Sequence, residues 1–261
     1  MGNPVVHFEV GAADDGPLVA FYGELFGWGL QGSPGGGYTM IDTRGGGGIN
    51  GGIGRSQTGE PWSTIYVETA DLQATLDQAN SLGGTTAVPV TDVGGAATIA
   101  MFRDPDGLLI GLVQAPAEAV RRDEPAPSAG SGEAADWFEI LGSDAARTQQ
   151  FYADLFGWQV RSSGSPTGYA VADTGGGRGI QGGIGGGVKA RWATIYAAVA
   201  DLDQTLSRVE KLGGSRISAP DLSALKIAAR TALYGSADDI QMSEFRDPAG
   251  NVFGVYCKDA H

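Results

Sequence analysis

The chain opens on an alternation. In VVHFEV (Val5–Val10) apolar and polar positions trade places, which predicts a strand with His7 and Glu9 on one face and Phe8 and Val10 on the other. The spacing then changes. Leu18, Phe21, Tyr22, Leu25 and Phe26 recur at helical intervals and predict a buried stripe. Asp14 or Asp15 can cap that helix, Pro17 suits its first turn and Gly27 ends it. Short extended runs at 28–31, 38–42 and 49–54 follow, separated by glycine-rich turns. The cycle restarts with an extended stretch over 63–68. Asp71 opens a second helix carrying Leu72, Thr75, Leu76, Ala79 and Leu82 on one side, stopped at Gly83 and Gly84. Strands near 85–88, 98–103 and 108–113 complete it, with the turn Asp104–Gly107 between the last two.

All of this happens twice. FYGELFGW (Phe21–Trp28) returns as FYADLFGW (Phe151–Trp158), and VVHFEV finds its counterpart in DWFEI (Asp136–Ile140). TIY, Asp-Leu, Leu-Gly-Gly and FRDP also recur in order. A repeat of this length sets the architecture. Each copy reads β-α-β-β-β twice, so the class is α+β with four βαβββ modules. The expected division is 1–115, a linker over 116–134 with flexible composition, and 135–261. The second copy carries an insertion near 219–238, where Asp221–Leu233 has the spacing of a short amphipathic helix, either a surface decoration or a wall over a pocket.

With 261 residues the chain can bury two ordinary cores. The formal net charge of −13 repels phosphate backbones and anionic membranes, so nucleic acid and membrane surfaces are poor partners. One cysteine, Cys257, rules out an internal disulfide and fits a reducing compartment, the cytoplasm; its place on a strand suits packing. The start MGNPVVHFEV has no basic end and no long apolar run, so neither a signal peptide nor a membrane span is expected. Gly46-x-Gly48-x-x-Gly51 and Gly177-x-Gly179-x-x-Gly182 spell a dinucleotide fingerprint, but a strand follows each where a helix is required, so they read as glycine-rich turns. No P-loop, GxSxG, HExxH or CxxC is present, and His7 and His261 are the two histidines.

The doubled order of FY-x-x-LFGW and F-x-DPxG, with GGIG loops between, resembles the vicinal oxygen chelate superfamily, and within it the tandem-domain glyoxalase, bleomycin-resistance and dioxygenase-like proteins. The resemblance implies two domains, each an open barrel with a concave cleft. It also implies three metal-ligand positions per half. These fall on His7, Thr64 and Gly111, and on Trp137, Thr194 and Gly254. One of the six has a good donor, so no metal and no other cofactor is expected.

If the strands face as the resemblance implies, His7, Glu9, Thr64 and Tyr66 surround one cleft. Trp137, Glu139, Thr194, Tyr196 and Tyr256 surround the other. Tyr38, Trp62, Tyr169 and Trp192 are expected at the rims. Such aromatic lining with few polar groups suits a small organic ligand. Glu9 and Glu139 are candidate proton-transfer groups; the alternative is a carboxylate satisfied by backbone donors or an arginine. His7 reads as a hydrogen-bonding residue, a proton shuttle or a vestigial ligand. The function expected is metal-independent binding of a hydrophobic or aromatic small molecule, with or without its transformation, in specialised metabolism or resistance, by a monomer or homodimer. The alternative is a metal-dependent lyase or dioxygenase with atypical ligands. The halves are expected to be inequivalent, with one dominant pocket.

Overall fold

The computed structural model describes residues 2–56, 58–115, 126–164, 167–175, 177–187, 189–217 and 240–258. The first copy runs β1 (Val5–Ala12), α1 (Gly16–Phe26), β2 (Gly29–Gly32), β3 (Tyr38–Asp42), β4 (Asn50–Arg55), β5 (Trp62–Thr69), α2 (Leu72–Ser81), β6 (Thr85–Asp92), β7 (Thr98–Arg103) and β8 (Leu109–Gln114). The second runs β9 (Ala135–Gly142), α3 (Ala145–Phe156), β10 (Gln159–Ser162), β11 (Ala170–Asp173), β12 (Gln181–Gly186), β13 (Trp192–Ala198), α4 (Leu202–Lys211), β14 (Ser215–Arg216), β15 (Ile240–Arg246) and β16 (Val252–Lys258). The insertion near 219–238, its expected helix and His261 lie outside the described residues.

Each copy builds one eight-stranded mixed sheet, ordered β2-β3-β4-β1-β5-β8-β7-β6 and β10-β11-β12-β9-β13-β16-β15-β14. The two modules of a copy meet where β1 runs antiparallel to β5 and β9 antiparallel to β13. Neither sheet closes into a barrel.

Strand alternation assigns the two faces. Phe8, Val10, Ile41, Ile53, Ile65, Val67, Phe102, Ile110 and Leu112 point to a core that the second sheet shares, through Phe138, Ile140, Ile184, Ile195, Phe245, Phe253 and Val255. Burying a large apolar side chain contributes about 1.5–3 kcal/mol, so this face dominates stability.

The repeated aromatic motif closes the core across the halves. Tyr22 of α1 donates to Asp247 at 3.0 Å, and Tyr152 of α3 donates to Asp104 at 3.0 Å. The ring of Phe21 meets Phe245, and that of Phe151 meets Phe102. Each FRDP aspartate uses one oxygen to hold its own turn, accepting amides of Asp106 and Leu108 or of Ala249 and Asn251. The other oxygen receives the tyrosine of the opposite copy. The indole N–H of Trp28 reaches Glu133 O at 2.8 Å, and that of Trp158 reaches Asn3 O at 2.7 Å.

Several expectations need correction. Of the two caps offered for α1, Asp15 makes no capping bond and holds Arg55 at 2.8 Å, while Asp14 accepts the Gly16 amide at 3.2 Å. Asp71, Asp144 and Asp201 do cap, each accepting a first-turn amide. Residues 126–134, expected to be flexible linker, are fastened to the first copy: Ser128 donates backbone and side-chain hydrogen bonds to Asp42, and Glu133 O holds Trp28. Gly51 lies on β4, as the extended run over 49–54 requires, and Gly182, included in the glycine-rich turns, lies on β12.

Candidate functional site

The face of each sheet turned away from the shared core carries a carboxylate at its centre. In the first sheet this is Glu9 on β1. Tyr38 of β3 donates to its Oε1 at 2.7 Å and Tyr66 of β5 donates to its Oε2 at 2.7 Å. His7 Nε2 lies 3.0 Å from the Tyr38 hydroxyl. The sequence alternatives for Glu9, backbone donors or an arginine, are replaced here by two phenols.

The approach of Tyr38 depends on a glycine. A Cβ at Gly52 of β4 would sit 2.0 Å from the Tyr38 hydroxyl oxygen, so any other residue would push the phenol off Glu9. The second copy repeats the device, with Gly183 beneath Tyr169. The GGIG segments are therefore strand positions made bare so that a phenol can lie across them, which letter spacing alone did not reveal.

Around Glu9 the same face presents Met40, Trp62, Ile99, Leu109 and Val113, all exposed or half-buried. The Glu9 side chain is 12% exposed and that of His7 22%. Burial raises the Glu9 pKa against the lowering effect of its two phenol donors. Burial lowers the His7 imidazole to about 4 and so keeps it neutral. The Tyr38 and Tyr66 phenols are pushed up by burial and by the Glu9 charge, so they act as donors.

In the second sheet Glu139 of β9 accepts from Tyr169 at 3.2 Å, Trp192 at 2.9 Å and Tyr196 at 2.9 Å. The Tyr196 hydroxyl also lies 3.0 Å from Glu244 of β15, a carboxylate that sequence reading missed. Its signal was available: Glu244 precedes FRDP where Met101 stands in the first copy, a charged residue on the concave side of a strand. Tyr196 has one hydroxyl proton, and its oxygen stands within hydrogen-bond distance of both carboxylates. Burial, then the Glu244 charge, raises Glu139 to about 7 against its three donors.

Tyr169 and Trp192, expected at the rim, are buried inside, as are Trp137, Tyr196 and Tyr256. Tyr256 donates to Asp136 at 2.9 Å. Tyr38 and Trp62 stay half-buried beside the first cleft. The Thr64 hydroxyl donates to Leu109 O and that of Thr194 to Val252 O, each at 2.7 Å, so both are committed to holding neighbouring strands.

The positions that the resemblance assigns to a metal do not fit one. His7 is the one strong donor, Thr64 and Thr194 are bonded to carbonyls, and a Cβ at Gly111 would meet the Tyr66 ring at 2.5 Å. The Tyr66 and Tyr196 rings lie where a third ligand would project. Among the described residues no three His, Cys, Asp or Glu side chains converge as a cation requires.

Residues 5–112 match the model of the Glyoxalase/Bleomycin resistance protein/Dioxygenase superfamily, and the second copy repeats that topology strand for strand. The first copy thus carries the match to this superfamily, and the second copy shares its strand order. It is 28% identical over 235 residues to "Anthracycline biosynthesis protein DnrV" of Streptomyces peucetius, covering 80% of this chain and 81% of that protein. It is 28% identical over 265 residues to "Putative glyoxylase CFP32" of Mycobacterium bovis, covering 95% and 92%. Among solved structures, the Mn(II)-bound glyoxalase from Novosphingobium aromaticivorans superposes with a TM-score of 0.60 at 14% identity, over 98% of this chain and 82% of that one. At that identity the likeness speaks for the fold. No helix among the described residues is long and apolar enough to cross a membrane.

Proposed function

We propose that this protein binds a hydrophobic, ring-containing small organic molecule on the concave face of its first sheet, without a metal at that site. One observation carries the reading. The polar group of His7, Tyr38 and Glu9 is partly open and ringed by half-buried apolar side chains, whereas its second-copy counterpart is closed by its own aromatics. An apolar wall around a few fixed polar groups is the usual composition of a small-molecule site. Met40, Val90 and Val93, exposed large apolar side chains, also belong to the first copy. The relative named for anthracycline biosynthesis supports a ligand from specialised metabolism.

Tryptophan emission tests the reading, because the five tryptophans are distributed between core and clefts. Naphthalene-sized ligands should change the emission saturably. The change should disappear in Trp62→Phe, whose parent ring lies beside the first cleft, and persist in Trp192→Phe. The opposite pattern would move the site to the second cleft, and no saturable change in the unmodified chain would remove it.

A further inference from the structure

We propose that His7 Nδ1 accepts a hydrogen bond from a phenolic or enolic hydroxyl of the bound molecule, and that Tyr38 and Glu9 behind it form a relay that can take up the proton. The inference rests on the first-cleft reading and adds to it the chemical class of the ligand.

It begins with hydrogen counting. Tyr38 has one hydroxyl proton, and its oxygen lies 2.7 Å from Glu9 Oε1 and 3.0 Å from His7 Nε2. With that proton given to the carboxylate, the contact to His7 needs an N–H on Nε2. A neutral imidazole has a single N–H. Nδ1 is then a bare acceptor. It makes no hydrogen bond to the protein and is not sealed from solvent, on a side chain 22% exposed. The chain of contacts has an open acceptor at one end and a carboxylate, steadied by Tyr66 at 2.7 Å, at the other.

The transfer balances. The ligand O–H bond breaks and its proton goes to Nδ1. The Nε2 proton passes to the Tyr38 oxygen, and the original Tyr38 proton passes to Glu9 Oε1. The ligand becomes an oxyanion, Glu9 a neutral acid, and His7 and Tyr38 end neutral. Phenols and enols suit it better than aliphatic alcohols because they ionise far more readily, a phenol near pH 10. The apolar side chains Met40, Ile99, Leu109 and Val113 suit a hydrocarbon frame around the hydroxyl. The second copy cannot do the same, because Trp137 replaces His7 and an indole N–H only donates.

Two measurements on the full chain test this. Long-range ¹H–¹⁵N correlation of the imidazoles, simplified by there being two histidines, should show His7 as the Nε2–H tautomer near neutral pH, and Tyr38→Phe should relax it to a mixture. An Nδ1–H tautomer in the unmodified chain would overturn the relay. Calorimetric titration with 2-naphthol and its O-methyl ether should show 2-naphthol binding about tenfold tighter, with the ratio near one in His7→Phe. Equal binding of the two by the unmodified chain would overturn hydroxyl recognition and leave the first-cleft reading standing. Binding of neither would overturn both.

Discussion

The two concave faces use one scaffold and reach opposite states. Leu109, Val113 and Ile99 are half-buried on the first; their counterparts Val252, Tyr256 and Met242 are buried on the second. Two changes of side chain account for much of this. An imidazole at His7 becomes an indole at Trp137, and Val113 becomes Tyr256, so added ring volume occupies the space. A third change, Met101 to Glu244, adds a carboxyl that Tyr196 ties to Glu139. The duplicated fold supplies two such faces, and the size of a few side chains decides which one keeps contact with solvent.

The largest expected effect separates the clefts by stability. Trp192→Ala should cost about 3–5 kcal/mol, because it opens a cavity and strips a donor from Glu139. Trp62→Ala, at a half-buried ring, should cost under about 2 kcal/mol. Urea denaturation of the two variants compares them; equal losses would mean the first cleft is packed like the second.

The next effect is a pH dependence larger in the second cleft than in the first. The folded state raises Glu139 from 4.5 to about 7, so it binds that proton more tightly than the unfolded chain does. The stability this contributes is complete below about pH 4.5 and is lost as pH rises through about 7, a change on the order of 3 kcal/mol. Glu139→Gln should remove that component from the stability–pH curve. Glu9→Gln should change the curve less, since Glu9 keeps contact with solvent. An unaltered curve in Glu139→Gln would contradict the burial-driven shift.

A smaller effect should be the same in both halves. Tyr22→Phe and Tyr152→Phe each remove one cross-copy hydrogen bond to a buried aspartate and should each cost about 1–3 kcal/mol. Similar losses would place the asymmetry in the clefts alone. Smallest of all, Arg147→Ala should cost under about 1 kcal/mol, because its ion pair with Asp106 is half open to water. Thermal melts in low and high salt would resolve it.

Much of this was legible in the chain. The repeat, the module order and the core-facing rows follow from periodicity, because burial on one face of a strand or helix imposes its spacing on the sequence. His7, Glu9, Thr64 and Tyr66 were legible as neighbours on one face, and Glu139, Thr194 and Tyr196 on the other, since alternation places them on the same side of adjacent strands. Their partners were harder to read. Tyr38, expected only at the rim, reaches Glu9 from β3, and Glu244 meets Tyr196 across the sheet. The glycines of β4 were read both as an extended run and as loops, because a glycine's letter is the same whether it supplies a turn or makes room for a ring.

By itself the sequence determined that one α+β unit is repeated, which faces are buried, and that five of the six metal-ligand positions lack a strong donor. Local spacing and side-chain chemistry suffice for these. Only the tertiary structure decided that the aromatic motif of each copy locks the turn of the other, that the carboxylates are held by phenols, and that one cleft is filled while its twin is open. Those outcomes depend on how side chains from distant segments divide a shared volume, and that division exists only once the sheets have packed.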